Sequence, residues 1–306
     1  MMNKKLKGGI LVFLGACSFG VLSTIVKTAY GEGFVVGEIT GSQTFFGFLF
    51  LWMIYFVQNK FFGVTSLKKE TEQNSNKGVT PKWKVVVAGS FTGLVGIFYY
   101  QSVSYIPASI AIILLMQYIW ISMLIEWVMF KKRPHKIQLL AAAIVFIGTL
   151  FAGGILNDSL TLNTKGVLFG LLAAFSYAMF LLTSGRVGNE YADTKKSALI
   201  MTGSMITTWI IFPPTFLISG VLFSGGLLKW GVILALLGAV IPPLFFAIGI
   251  PKVGVSMGSI LSAAELPVAV LSSYFILQEE VKALQWFGVL LILSAILITN
   301  IKFKKK

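Results

Sequence analysis

Ten apolar segments, each about as long as a bilayer is thick, constrain this chain more than any other feature of its sequence. A transmembrane helix needs about 20 mostly apolar residues. Hydrophobic residues make up 56% of the 306 residues and charged residues only 12%, against about 25% charged in a soluble domain. We therefore predict an all-α integral membrane protein with ten transmembrane helices. The predicted spans are Gly8–Tyr30, Phe34–Val57, Val85–Tyr105, Ala108–Phe130, Ile137–Leu156, Gly166–Leu182, Ser197–Leu217, Leu227–Ile250, Val255–Leu277 and Leu284–Asn300.

Basic residues cluster in alternate connections between the spans, and this pattern sets the predicted orientation. Cytoplasmic loops of membrane proteins carry an excess of Lys and Arg. With both termini inside, most of the 25 basic residues fall in inner segments, and the outer loops hold only Lys165, Lys229 and Lys282. We expect a multi-pass protein of the plasma membrane with cytoplasmic N- and C-termini. The net charge of +14 lies in short runs between apolar spans, so we expect no nucleic-acid partner.

When the second half of the sequence is aligned with the first at one constant shift, without gaps, the two halves show weak similarity. A repeat of five spans reverses its orientation in the membrane, because the number of spans is odd. The loop KKRPHK of the first copy is basic, whereas its counterpart QEEVKA is acidic. This predicts two inverted five-helix repeats, residues 1–156 and 163–306, with a polar and disordered cytoplasmic loop over 58–82. The shift pairs Trp83 with Trp230, Phe98 with Phe245, Ser109 with Ser256 and Gln138 with Gln285.

One ionisable residue, Glu265, lies near the middle of the ninth predicted span, and Pro267 follows two positions later. A charge at the bilayer centre costs at least ~2.5–3.5 kcal/mol, so such residues commonly serve transport or proton relay. We interpret Glu265 as a proton acceptor or as the partner of a substrate amine. Pro267 is interpreted as a helix kink beside the carboxyl group. The alternative is a carboxyl group that only holds helices together.

Further candidates for substrate contact are polar or aromatic side chains within the predicted spans. Amide side chains at membrane depth are expected to find partners inside the bundle, and aromatic rings can close over a flat or cationic substrate. Packing against lipid or core is the alternative for every ring, and Lys27 can instead reach the membrane surface. A second acid, Glu126, is expected to pair with the basic run that follows it. The candidates are Gln43, Gln117, Tyr99, Tyr118, Trp120, Tyr177 and Lys27.

The sequence contains little that could support enzyme chemistry. A single cysteine, Cys17, and a single histidine, His135, exclude an internal disulfide and a multi-cysteine metal site. There is no Walker sequence to bind ATP, and we predict no cofactor and no metal. Besides a transporter, a flippase-like or receptor-like membrane protein without a metabolite transport cycle is an open alternative. An intramembrane enzyme would need a second catalytic group at the depth of Glu265, and the spans offer none.

Several stretches resemble the EamA-type members of the drug/metabolite transporter superfamily. They are GACSFGVLSTIVK in the first span, SYIPASIAIILL before the fourth span, and LPVAVLSSYFILQEEVKALQWFG across the ninth and tenth spans. The resemblance covers nearly the whole chain, and it implies ten helices in two inverted repeats with alternating access to a central cavity. This chain departs from the family pattern at Gln43, where many members carry arginine. Trp120 and Lys132 also stand at the positions that match Pro267 and Glu279.

The resemblance further implies a function. By resemblance to the EamA-type members, the chain is expected to be a secondary transporter that exports small metabolites such as amino acids or related compounds. The partners expected on this basis are a small-molecule substrate, the lipid bilayer, protons as the coupling ion, and a second copy of the chain in a homodimer. The residues themselves do not single out a substrate.

Overall fold

The structure, a computed structural model, is built from helices within the residues that it describes. These are residues 4–63, 79–106, 108–152, 163–223, 225–278 and 280–303. Most of the polar loop predicted over 58–82, and the family-like Glu279, lie outside them. In chain order the α-helices are α1 Lys4–Gly20, α2 Leu22–Gly31, α3 Val36–Phe62, α4 Lys82–Tyr105, α5 Ala108–Leu115, α6 Tyr118–Phe130, α7 Lys136–Ala152, α8 Thr164–Arg186, α9 Asp193–Ile211, α10 Leu227–Leu234, α11 Ile241–Val253, α12 Val255–Ser262, α13 Glu265–Ile276 and α14 Ala283–Phe303.

Seven helical stretches among the described residues are long and apolar enough to cross a membrane. They match the first four predicted spans and the sixth, eighth and ninth. Helix α7 and the apolar part of α14, Ala283–Ile298, are shorter. Helix α9 belongs to neither group, and its first turn carries Asp193, Lys195 and Lys196. The fold is therefore that of an all-helical, multi-pass membrane protein, while the count of ten stays a prediction.

The bounds predicted for the seventh span, Ser197–Leu217, are wrong at both ends. Helix α9 begins earlier, at Asp193, and ends at Ile211. The residue before a proline disfavours helical backbone angles, and Pro213 and Pro214 follow Phe212 directly. The chain then forms a short 3₁₀ turn over Thr215–Leu217.

The turn between α8 and α9 is built around a buried lysine. Lys196 is fully buried, and its Nζ donates to the carbonyl oxygen of Ser184 and to Oδ1 of Asn189, both at 2.6 Å. It therefore satisfies a carbonyl group that the end of α8 leaves without a helical partner. In the same turn Glu190 accepts a hydrogen bond from the backbone N–H of Thr80. Partial burial acts to raise the pKa of Glu190, but hydrogen bonds and the charge of Lys196 outweigh it and lower that pKa.

Two membrane helices are interrupted in the same way, between α5 and α6 and between α12 and α13. In the first interruption the N–H of Gln117 donates to the carbonyl oxygen of Leu114 at 3.1 Å. In the second, the N–H of Ala264 donates to the carbonyl oxygen of Leu261 at 3.2 Å. Both bonds span three residues instead of four, which tightens the helix for one turn. The two interruptions are related by the constant shift seen in the sequence.

The second interruption lies just before Pro267, which sits in the first turn of α13. A proline is tolerated there because the first N–H groups of a helix lack partners anyway. In α6 the matching position is occupied by Trp120, and the helix is interrupted all the same. Proline is therefore not the common cause of the two breaks.

Helices α4 and α9 come into backbone contact. A Cβ atom at Gly203 would overlap the carbonyl oxygen of Val86, and one at Gly89 would overlap that of Ile200. Close approach of this kind requires small residues, as in membrane helix interfaces generally. The contact brings the middle of α9 against the first half of α4, and both helices then contribute to a cavity in the core.

Candidate functional site

The carboxyl group of Glu265 lies at the centre of the bundle. Glu265 is the first residue of α13, directly after the interruption, and only 6% of it is exposed. The hydroxyl group of Tyr177, on α8, donates to Glu265 Oε2 at 3.2 Å. Buried charged groups need such partners, and the interruption brings this one to the point where two helices meet.

Aromatic rings surround this pair. The rings of Tyr118 and Tyr177 have centroids 4.3 Å apart, and Phe19 meets Tyr177 edge to face at 5.9 Å. Phe180 stacks against Tyr177 at 6.0 Å. Aromatic faces carry partial negative charge, so a positive group is favoured beside Glu265 and a negative one is not.

A cavity of about 70 Å³ adjoins Glu265. Helices α3, α4 and α9 supply its polar wall, which consists of hydroxyl groups and one amide. The amide is Gln43, whose Oε1 accepts a hydrogen bond from the hydroxyl group of Tyr100 at 3.2 Å. A π-helical turn over Ala235–Val240 brings Gly238 and Ala239 against this wall. The hydroxyl-bearing residues from these helices are Thr40, Thr44, Thr92, Tyr99, Tyr100, Ser204 and Thr208.

Three of these hydroxyl groups are buried and have no hydrogen-bond partner in the described part of the chain. They belong to Thr92, Tyr99 and Thr208. Most buried polar side-chain atoms in proteins are hydrogen-bonded, and each exception calls for an explanation. Here the three exceptions share one cavity, which is what a site for a polar ligand requires.

One of the described residues that line the cavity carries a charge. Among the described residues that line it, Glu265 is the only acid and none is Lys, Arg or His. A bound cation would therefore meet one carboxylate, several rings and several hydroxyl groups. A bound anion would find hydroxyl donors but no positive partner among these described residues.

Four of the residues predicted from the sequence line this cavity, and four lie elsewhere. Those in the cavity are Glu265, Gln43, Tyr99 and Tyr177. Tyr118 packs against Tyr177 but does not line the cavity. Its hydroxyl group donates to the carbonyl oxygen of Ser259 at 3.4 Å.

Gln117, Trp120 and Lys27 lie outside the central cavity. Trp120 Nε1 donates to Gln117 Oε1 at 2.7 Å, and Trp120 lines a groove on the outside of the bundle. Lys27 lines a second cavity, of about 120 Å³, near the C-terminal ends of α2 and α13. Tyr99 borders both cavities.

An ion-pair cluster lies at the opposite end of the bundle. Glu126, on α6, is 1% exposed, and its Oε1 accepts from Lys132 at 3.1 Å and from Arg186 at 3.0 Å. The pairing with the basic run is therefore confirmed. Its Oε2 accepts from the backbone N–H of Ser256 at 3.2 Å and from the Ser256 hydroxyl group at 2.5 Å. Arg186 also lies over the ring of Phe130 at 3.7 Å.

This Glu126 cluster joins three elements that the sequence keeps far apart. Its members come from the end of α6, the end of α8 and the start of α12. Glu126 is buried, so the loss of its cationic partners would leave its charge uncompensated. The cluster therefore stabilises the packing of these three elements against one another.

Known proteins resemble the chain over almost all of its length. A model of the EamA-like transporter family matches it twice, over residues 6–154 and 164–301. An uncharacterized transporter from Synechocystis sp. is 24% identical, over 98% of this chain and 95% of its own length. A protein solved by crystallography is 14% identical and shares the fold, with a TM-score of 0.71 over 98% of this chain and 99% of the other. Since the family model covers most of the sequence, the chain belongs to the EamA-like transporter family and is a membrane transporter.

Proposed function

We propose that the chain is a secondary transporter that exports small metabolites carrying an amine, such as amino acids or related compounds. The proposal rests on the position of Glu265 in the central cavity. Glu265 is the one charged side chain among the described residues of the central cavity, and it is enclosed by rings and hydroxyl groups. An ammonium group is the ligand group that such surroundings favour.

The rest of the substrate is expected to contact the polar wall. The unpartnered hydroxyl groups of Thr92, Tyr99 and Thr208 can donate to an oxygen of the substrate or accept from one of its N–H groups. This supports a substrate with a polar group beyond its amine, as in an amino acid. Ligand sites usually have 300–1,000 Å³, and the cavity has about 70 Å³. Substrate entry therefore requires the helices to move apart.

Alternating access would supply this movement. We propose that the chain has ten transmembrane helices in two inverted repeats, residues 1–156 and 163–306. It would lie in the plasma membrane with both termini in the cytoplasm. The matching interruptions at Gln117 and Ala264 support the repeat, and the double match to one family model fits it. In this orientation the Glu126 cluster is the cytoplasmic seal.

Protons are the proposed coupling ion. A carboxyl group that binds either a proton or an ammonium group, but not both, makes the two ligands compete for one site. Proton entry from outside would then release the amine outward, which is export. Proton gradients are a common source of energy for secondary transport that has no ATP site.

The experiment uses the purified chain in proteoliposomes with a Glu265→Gln variant. Glutamine keeps the shape and much of the hydrogen bonding of glutamate but removes its charge and titration. We expect substrate counterflow to be lost in the variant and to respond to a pH gradient in the wild type. Glu38→Gln is the matched control, because Glu38 does not line the central cavity and accepts a hydrogen bond from the Val35 N–H at the start of α3. Near-normal counterflow by Glu265→Gln at every pH would contradict the proposal.

A flippase-like protein remains the competing class. It would move labelled lipid across the same proteoliposomes in the absence of any metabolite. Counterflow of an amine without lipid movement distinguishes the transporter from it, and a receptor-like protein would do neither.

A further inference from the structure

An apolar groove runs between α6 and α7 on the outside of the bundle. Its volume is about 550 Å³, which is the size of a site for a small molecule. Trp120 and Trp127 form one side, and Leu139, Ala143 and Phe146 form part of the other. We call this feature the α6/α7 groove. It is separate from the central cavity and plays no part in the proposed transport site.

The groove exists because α7 packs along a different helix. Gly148 on α7 and Gly288 on α14 bring these two helices together, and a Cβ atom at Gly288 would overlap backbone atoms of α7. Helix α7 therefore packs against α14, and the face of α7 that lies beside α6 is left uncovered. Trp127 is 48% exposed and Phe146 46% exposed as a result.

Basic side chains lie at one end of the groove. The connection from α6 to α7 runs through Pro134, which itself lines the groove. Beside it, Lys131, Arg133 and Lys136 are exposed. Lys132 differs from them, because it is engaged by Glu126 in the cluster described above.

We propose that the α6/α7 groove binds one anionic phospholipid, with an acyl chain between the helices and the phosphate held by Lys131, Arg133 and Lys136. The apolar walls match the chain, and the three positive charges match the phosphate. Basic residues at a membrane surface attract anionic lipids, and basic pockets between membrane helices bind their headgroups. The α6–α7 connection is also predicted to face the cytoplasm, where anionic lipids give the leaflet its negative potential.

A second copy of the chain is a less suitable occupant. A two-fold interface places the same patch of both subunits in contact. The three basic residues of one chain would then approach those of the other, and like charges repel. An anionic lipid neutralises the same residues.

The headgroup contact is tested with lipid binding to the purified full chain in neutral detergent. Native mass spectrometry would compare phosphatidylglycerol with phosphatidylcholine. The triple variant Lys131→Gln, Arg133→Gln, Lys136→Gln is expected to bind phosphatidylglycerol about 100-fold more weakly, because each basic residue contributes about a factor of five. Phosphatidylcholine binding is expected to change little.

A matched control removes three other exposed basic residues from the same predicted face of the membrane. This is the triple variant Lys60→Gln, Lys82→Gln, Lys84→Gln, whose residues lie away from the groove. It is expected to retain the wild-type affinity for phosphatidylglycerol. An equal loss in both triple variants would mean that only the overall charge matters, and it would overturn the site.

The acyl-chain contact is tested by filling the groove. Ala143→Phe adds a ring between the helices and leaves every basic residue in place, while Val87→Phe adds one on an exposed face of α4. We expect only Ala143→Phe to lose the tightly bound lipid, with the thermal unfolding of both variants confirming that they fold. Undiminished lipid binding by Ala143→Phe would overturn the groove as the site. Loss of a wild-type dimer in this variant, with lipid binding unchanged, would assign the groove to a second copy instead.

Discussion

At the scale of single residues, the central cavity combines one carboxyl group with hydroxyl groups that the protein leaves unpartnered. A buried polar group without a hydrogen bond costs about 1–3 kcal/mol. Thr92, Tyr99 and Thr208 therefore lower the stability of the fold in which they are buried. A protein can carry such a cost where the same groups bind a ligand, and this is the reason to place the polar part of the substrate against them.

This interpretation predicts opposite effects of Thr208→Val on stability and on transport. Valine has nearly the shape of threonine, so the variant loses an unpartnered hydroxyl group and is expected to unfold at the same temperature as the wild type or above it. The half-saturation concentration for transport is expected to rise about fivefold, the equivalent of one hydrogen bond. Thermal unfolding and counterflow on the same preparation measure both.

The control for this prediction is Thr183→Val on α8. The hydroxyl group of Thr183 donates to the carbonyl oxygen of Met179 at 2.8 Å, and Thr183 does not line the cavity. Its loss should leave the half-saturation concentration unchanged. A destabilised Thr208→Val variant with normal transport would show that Thr208 has only a structural role.

Some residues of the candidate site could be predicted from the sequence and others could not. Glu265 could be found because an acid in the middle of an apolar span is rare and costly. Thr92 and Thr208 could not, because a hydroxyl group in a helix commonly donates to the carbonyl oxygen four residues earlier, as Thr44 does to Thr40 at 2.9 Å. Only the packing of α4 against α9 shows which hydroxyl groups lack that bond.

At the scale of helices, the position of the site depends on the contact between α4 and α9. Both helices line the central cavity, and their backbones meet at Gly89 and Gly203. Carbonyl groups of a helix cannot move aside as a flexible side chain can. The contact therefore fixes the distance between Thr92 on α4 and Thr208 on α9.

A methyl group at this contact is expected to destabilise the bundle. In Gly203→Ala the new Cβ atom would overlap the carbonyl oxygen of Val86, so α4 and α9 must separate. Overpacking costs typically about 1–3 kcal/mol, and we expect a lower unfolding temperature in detergent together with weaker transport. Gly31→Ala at the end of α2 is the control, because in the described part of the chain its new methyl group would meet no atom within 4 Å apart from its chain neighbours and its own helix backbone. Equal unfolding temperatures for the two variants would contradict the close contact.

Apolar length predicted most helices but not their internal breaks or all of their ends. The seven apolar stretches were evident because a bilayer requires uninterrupted hydrophobic runs. Helix α9 was placed too late, since a lysine at this point is typical of a loop, whereas Lys196 is buried where it caps α8. The break before Tyr118 could not be predicted from a proline, because Trp120 stands where α13 has Pro267.

At the scale of the whole molecule, the two ends of the bundle differ. One end contains the second cavity, bordered by Lys27 and Tyr99 and reaching Glu280. At the other end, Glu126 joins α6 to α8 and α12. A transporter that alternates between two open states must break one seal before it opens that end. We propose that the Glu126 cluster is this seal.

The last prediction is that weakening this seal moves the conformational equilibrium instead of only loosening the fold. Glu126→Gln removes the charge that holds Lys132 and Arg186, and we expect the end that carries Glu126 to open more often. Since Lys132 is 58% exposed and Arg186 32% exposed, solvent weakens these pairs. A change of about tenfold in the populations is therefore a reasonable expectation.

The measurement uses a cysteine that replaces Ser204 in the central cavity, in a Cys17→Ala background, and an impermeant thiol reagent. In Glu126→Gln, labelling should become about tenfold faster from the side of the Glu126 cluster and slower from the opposite side. A population shift requires these opposite changes, whereas partial unfolding would speed labelling from both sides. Arg186→Gln should act in the same direction, because it removes one of the two cations that pair with Glu126, and Glu38→Gln should leave both rates unchanged. Faster labelling from both sides in Glu126→Gln would mean that the cluster only stabilises the fold and does not gate the cavity.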